Sequence, residues 1–178
     1  MKTENVILVD EQDREIGSME KLEAHRKGLL HRAISVFVFD SKGRLLLQQR
    51  AAHKYHTPGL WTNTCCSHPA PGETAAAAAT RRLQEEMGLA VPLTFAFTFL
   101  YRAAFDNGLV EHELDHVFVG YTDSNPALNP DEAAAFHWAG LQEIGEGIKS
   151  NPDRYTAWFK LIYERAFGSA ASDNRSGD

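Results

Sequence analysis

An α+β fold, one domain built on a mixed β-sheet flanked by helices, is what this sequence predicts, and three observations carry the expectation. Short β-rich runs are grouped around a few helical segments instead of alternating strictly with them. Two of these runs, residues 93–105 and 109–121, flank Asp106-Asn107-Gly108, a strong hairpin signal. The 178 residues, 43% of them apolar, suit one core of ordinary size, and no repeat or linker divides them.

In chain order, residues 6–9 and 34–40 read as strands, with a short helix or loop at 19–27 between them. The turn Ser41-Lys42-Gly43 leads into Leu45, Leu46 and Leu47 as a hairpin, which makes Lys42 and Arg44 solvated turn residues. Residues 58–71 carry three prolines and Gly59 and read as a loop. Residues 73–87 read as a helix stopped by Gly88. After the hairpin come a short strand at 136–139 and a helix through residue 148. Asn151-Pro152-Asp153 then resembles a cap, a first-turn proline and a first-turn acid, opening a last helix to about Phe167. The domain is therefore expected over residues 1–167, and the small, polar stretch 168–178 as a disordered tail.

Charge narrows the function. A formal net charge of −6 disfavours general binding to nucleic acid or an anionic membrane, so an anionic substrate must be met by local cations. The first residues lack the apolar core of a signal peptide, and no apolar run approaches a membrane span, so a cytoplasmic protein is expected. Cys65 and Cys66 are adjacent, with Cα atoms about 3.8 Å apart, closer than an ordinary disulfide prefers. They are free for chemistry or ligation in a reducing compartment.

Two segments carry chemical information. In the first, Arg81-Arg82-Leu83-Gln84 precedes Glu85-Glu86-Met87-Gly88-Leu89, with Glu73 eight residues before Arg81 and Ser67 six before that. Arg82 and Glu86 share a helix face, as do Arg81 and Glu85. On an arbitrary helix these are solvated ion pairs. A cation and an anion on one face can also hold a diphosphate together with its magnesium. The segment resembles the Nudix box, with two departures: Ser67 stands where the pattern has Gly, and Arg82 where it has Glu. The lost acid weakens the case for the metal-assisted diphosphate hydrolysis of that family.

The second segment is Thr62-Asn63-Thr64-Cys65-Cys66-Ser67-His68-Pro69, followed by Gly72-Glu73. It resembles the active-site signature of the type I isopentenyl-diphosphate isomerases, a family of Nudix fold, and the resemblance runs from Thr3 to about Phe167. It implies a Nudix-like sheet and a shift of a carbon-carbon double bond by protonation and deprotonation through a tertiary carbocation. It also assigns residues. Cys66 and Glu113 would be the acid and base on opposite faces of the substrate, and Cys65 a packed neighbour. Tyr101 would assist the glutamate, and Trp158 would face the cation, though strand and core packing are ordinary duties for such aromatics. His25, His31, His68, Glu111 and Glu113 would hold a divalent metal, zinc suiting the imidazoles best and manganese or magnesium suiting the oxygens. Glu86, with the backbone carbonyl of Cys66, would hold Mg2+ on the substrate diphosphate, and Lys21, Arg50, Lys54 and Arg82 would bind that diphosphate.

Side-chain alternation supports part of this independently, since Glu111 and Glu113 share one strand face while His112 and Leu114 share the other. Paired carboxylates repel unless a cation or a proton lies between them. His53, His56, His112, His116 and His137 match no ligand position and are expected to be surface or satisfied core residues. The partner implied is a small prenyl diphosphate, with no nucleic acid or membrane, acting on a monomer or homodimer. Two other functions compete: a Nudix diphosphate hydrolase, which leaves Cys66 unused, and a non-catalytic protein binding metal or diphosphate.

Overall fold

The computed structural model describes residues 4–54 and 56–168. Its sheet is organised around β3 (His31–Phe39), a run of β-branched and aromatic residues buried along nearly its whole length. One edge of β3 pairs in parallel with β8 (Val110–Tyr121), from His31 opposite Glu113 to Phe39 opposite Tyr121. The other edge meets β1 (Asn5–Val9), then β6 (Cys65–Ser67), then β4 (Leu45–Arg50), all antiparallel. β2 (Glu15–Glu20) extends the sheet beyond β1, β7 (Thr94–Ala104) beyond β8, and β5 (Trp61–Thr62) and β9 (Ala133–Ala139) flank β4. The mixed sheet with helices on both faces is the α+β architecture expected.

Three details differ from the sequence reading. β2 is a polar, exposed edge strand with no apolar alternation to mark it. The stretch 58–71 is not all loop, because it contributes β5 and β6; side chains weld it to the sheet. Thr64 Oγ1 donates to the Leu46 carbonyl at 2.7 Å and accepts from the Val38 N–H at 2.9 Å, and Asn63 Nδ2 donates to the carbonyls of Val36 and Cys65. The last helix, α4 (Ala157–Phe167), is separated from a 3-10 turn at Pro152–Arg154. Tyr155 is extended there and bridges Trp61, while Thr156 donates its N–H to the Trp61 carbonyl at 3.0 Å, so pairing to the sheet displaces one helical turn.

The other helices have local causes. α1 (Lys21–Lys27) starts at Glu20, whose carboxylate accepts from the N–H groups of Leu22 and Glu23, and stops at left-handed Gly28 (φ 63°). α2 (Ala75–Met87) is capped by Thr74, and Glu73 lies outside it, accepting from the Ala70 N–H and from Arg81. α3 (Leu141–Ser150) follows β9. α2 packs Ala78, Ala79, Leu83 and Met87 against Ile34, Val36, Val38 and Phe118 on one sheet face. α3 and α4 cover Phe37, Leu45, Leu47 and Val117 on the other. No described helix is long and apolar enough to cross a membrane. The expected tail lies, from residue 169, outside the described residues.

Candidate active and metal site

Strand alternation decides which cysteine faces what. Cys65 stands opposite Val36 and points into the α2 core, fully buried, whereas Cys66 stands opposite Ser35 and points to the other face, toward Trp158. The same rule brings three strands into one row, with Tyr101 of β7 beside Glu113 of β8 and Glu113 beside His31 of β3. β6 and β8 lie on opposite edges of β3, so their backbones are two strand spacings, about 10 Å, apart. A cleft lies between them, lined by residues of both.

Every residue nominated for substrate or proton chemistry lines this cleft: Cys66, Glu113, Tyr101 and Trp158, and with them Lys21, Arg50, Lys54 and Arg82. The Cys66 sulfur accepts from Trp158 Nε1 at 3.0 Å and donates to Asn63 Oδ1 at 3.0 Å. Burial, reinforced by Asp115 and Glu86, pushes its thiol up to about 12, so it keeps its proton at neutral pH. Trp158 is buried in the α4 core and borders the cleft as well, so packing and a catalytic position coexist.

Across the cleft, Tyr101 Oη lies 2.6 Å from Glu113 Oε2 and 3.0 Å from Glu111 Oε2. Burial and the neighbouring Glu113 push Glu111 well above the usual carboxylate range. Burial also acts to raise Glu113, but His68 and His31 outweigh it and hold that carboxyl well below the usual range. The Tyr101 hydroxyl thus lies within donating distance of both carboxylates, and nearest to Glu113.

The histidines converge on the other oxygen. Glu113 Oε1 is 2.9 Å from His68 Nε2, 3.2 Å from His31 Nε2 and 3.9 Å from His25 Nε2. His25 Nδ1 donates to the Lys21 carbonyl at 2.6 Å and His31 Nδ1 to the Leu29 carbonyl at 2.8 Å. A carbonyl only accepts, so each Nδ1 is the donor and each Nε2 is left facing inward. Ring nitrogens and a carboxylate oxygen converging this closely suit a cation among them. One donor atom from each of His25, His31, His68 and Glu113 lies within 4.8 Å of every other, which fits a divalent metal.

Glu111 is not in that four-donor set; it groups instead with His25 and His56. His56, expected to be a surface or satisfied core residue, is buried, 5% exposed, with Nε2 3.2 Å from Glu111 Oε1. The other excluded histidines lie elsewhere: His53 is exposed, His112 faces the Gly28 carbonyl, His116 pairs with Asp13 and His137 with Glu143.

At the far end of the cleft, Arg82 Nη2 meets Glu86 Oε1 at 2.9 Å and Glu132 Oε1 at 3.2 Å, Lys54 also pairs with Glu132, and Lys21 with Glu4. Arg82–Glu86 is thus a largely buried pair and not a solvated one. Glu86 Oε2, Arg82 Nε and Arg50 Nε are buried with no hydrogen-bond partner among the described residues, leaving an acceptor and two donors for a cation and an anion. Glu73 and Glu85, by contrast, are engaged with Arg81 and do not border the cleft.

Sequence reasoning missed Asp115, Glu132 and His56. Asp115 was within reach, because the alternation that pairs Glu111 with Glu113 continues to it; its carboxyl accepts from Ser35 Oγ at 2.6 Å, and burial and Glu113 push it up. Glu132 and His56 sit in segments with no periodic pattern, so nothing in the sequence aims them at the cleft.

Burial lowers His68 to about 4 and His56 to about 3 from an ordinary 6.5, so below 6.5 the unfolded chain takes up protons that the fold refuses. The contribution of these rings to stability is full above about 6.5 and lost as pH falls toward 4. Denaturant titrations of chelator-treated protein across that window are expected to give a midpoint that drops with pH, and less steeply in His68→Gln.

The NUDIX domain family matches residues 29–159. The chain is 55% identical over 165 residues to a Pectobacterium atrosepticum protein named isopentenyl-diphosphate Delta-isomerase, covering 93% of this chain and 92% of that one. It is 52% identical over 174 residues to isopentenyl-diphosphate Delta-isomerase 2 of Aromatoleum aromaticum, covering 98% and 92%. A Deinococcus radiodurans crystal structure superimposes with a TM-score of 0.79 at 20% identity, over 92% of this chain and 99% of that one, a likeness of fold.

Proposed function

The chain belongs to the NUDIX domain family and, within it, to the isopentenyl-diphosphate Delta-isomerases, and from this we propose that it interconverts isopentenyl and dimethylallyl diphosphate by moving one proton onto and another off the carbon skeleton. The observation that carries the reading is a thiol, Cys66, and a carboxylate, Glu113, lining one cleft from strands on opposite edges of β3. A hydrolase leaves Cys66 without a role, Arg82 stands where its helix would carry an acid, and Glu85 is tied to Arg81 and Arg82 and does not border the cleft.

The chemistry asks for little more. Protonating the terminal alkene carbon places positive charge on the tertiary carbon, and removing a proton from the carbon on its other side restores neutrality with the double bond shifted. Cys66 and Glu113 divide these two transfers, and Tyr101 holds the Glu113 oxygen that handles the proton. Trp158, which borders the cleft, would stabilise the cation through its ring by about 0.5–2 kcal/mol, and the cleft walls would help exclude water. Lys21, Arg50, Lys54 and Arg82 hold the diphosphate. Glu86, with the Cys66 carbonyl, would hold Mg2+ there, and His25, His31, His68, Glu111 and Glu113 would hold a second ion, Mn2+, Zn2+ or Mg2+. Bound metal would neutralise diphosphate charge and fix the ionisation of the glutamates. A free thiol at the centre suits the reducing cytoplasm.

Isomerisation with intact phosphate bonds is testable in one tube. In D2O with Mg2+ and isopentenyl diphosphate, solvent deuterium is expected in a methyl group of the product by proton NMR, with the diphosphate unchanged by phosphorus NMR. Release of phosphate from an unlabelled skeleton would overturn the reading.

Arg82→Gln removes charge where the diphosphate is expected to sit. Losing one charged hydrogen bond of about 1.5–3 kcal/mol should raise KM by roughly 10- to 100-fold, with a smaller change in kcat. An unchanged KM would leave Arg82 a structural partner of Glu86 and Glu132.

A further inference from the structure

The family resemblance assigns five metal donors, His25, His31, His68, Glu111 and Glu113, and the cleft contains one more group of the same kind, His56. We propose that His56 is a further donor to this metal, through Nε2, so that the shell holds four imidazoles and two carboxylates; this rests on the metal reading above.

The argument is geometric. His56 comes from the irregular segment between β4 and β5, yet its ring is held firmly. It stacks on Phe105 at 5.4 Å and an interplanar angle of 5°, lies near-parallel to His25 at 5.8 Å and 29°, and meets the Trp158 edge at 5.9 Å and 89°. Its backbone carbonyl accepts from Arg50 Nη2 at 3.3 Å. Nδ1 is 2.9 Å from Thr57 Oγ1, a hydroxyl that can donate or accept, and Nε2 faces Glu111 Oε1 at 3.2 Å.

Donor atoms of His25, His56 and Glu111 lie within 4.8 Å of one another, just as those of His25, His31, His68 and Glu113 do. The two groups share His25, so His56 and Glu111 lie within reach of an ion that His25 holds. Mn2+ and Co2+ readily take six donors, and a shell rich in imidazole shifts preference from magnesium toward the later first-row metals. His56 therefore acts on which ion the protein keeps.

The test uses full-length protein stripped of metal and titrated with Co2+, read by its d–d absorption and dissociation constant. Wild-type protein is expected to give the weak bands of six-coordinate Co2+. His56→Ala should intensify them as the coordination number falls and weaken binding by about 10- to 100-fold, and added imidazole should reverse both changes. His56→Gln keeps a hydrogen-bonding group toward Glu111 but no imidazole. If it binds Co2+ with wild-type affinity and spectrum, His56 only props Glu111 and the proposal falls. An unchanged His56→Ala overturns it too. Should the variants fail to fold, pulsed EPR of wild-type protein loaded with Mn2+ counts imidazole nitrogens directly, four supporting the proposal and three overturning it. Absence of any Co2+ binding by the wild type would instead overturn the metal reading itself.

Discussion

Cys66→Ala is expected to fold normally and to lose isomerase turnover by about 10²–10⁴ or more, the range for removing a group that transfers a proton in the rate-limiting step. Cys66 is only half buried and stands on a short strand held by Asn63 and Thr64, so truncating its side chain leaves β6 in place. What goes is the sulfur between Trp158 Nε1 and Asn63 Oδ1. Cys66→Ser separates position from chemistry. Serine can occupy the same hydrogen bonds but is a far weaker acid, so it should rescue thermal stability without rescuing turnover. Cys65→Ala is the control, since that thiol lies in the α2 core and its loss costs stability, roughly 1 kcal/mol, and little activity. Circular dichroism, thermal melts and an NMR assay of product formation read all three variants. Equal losses of turnover at both cysteines would remove the assignment to Cys66.

How far this site can be read from sequence depends on what orients each residue. Strand periodicity is a local property, so the shared face of Glu111 and Glu113 was legible, and the parallel register with β3 then brought His31 beside Glu113. The hairpin at Asp106-Asn107-Gly108 and the capped helix α2 were legible because turn and cap chemistry is written in adjacent residues. The opposite facing of Cys65 and Cys66 was not, because residues 58–71 read as loop until the buried side-chain bonds of Asn63 and Thr64 turn part of it into strand. His56 was lost for a related reason, since its aim comes from packing against Phe105, His25 and Trp158, which are distant in the chain. The resemblance singled out His25, His31 and His68, which no periodicity could have chosen.

Glu113→Gln is expected to be at least as damaging as Cys66→Ala, and for two separable reasons. Glu113 Oε2 meets Tyr101 at 2.6 Å, while Oε1 meets the Nε2 atoms of His68 and His31 at 2.9 and 3.2 Å. A glutamine amide is nearly isosteric. Its oxygen can keep the Tyr101 bond, and its NH2 group can donate to the imidazole lone pairs, so metal-free protein should melt close to wild type. The charge is gone, however, and with it the acceptor proposed to take the substrate proton and one donor of the proposed metal shell. Metal affinity should fall by about 10- to 100-fold or more. Turnover should stay down by about 10⁴ even when excess metal refills the site, because an amide cannot act as the base. Tyr101→Phe gives the contrast: it leaves both carboxylates and all the imidazoles, so metal content should hold while turnover drops by a smaller factor. Metal analysis, melting of metal-free protein and turnover at saturating metal separate these effects. If Glu113→Gln regains near wild-type turnover once metal is restored, Glu113 serves the metal alone and the proton belongs to another group, with Asp115, buried two residues further along the same strand face, the next to test.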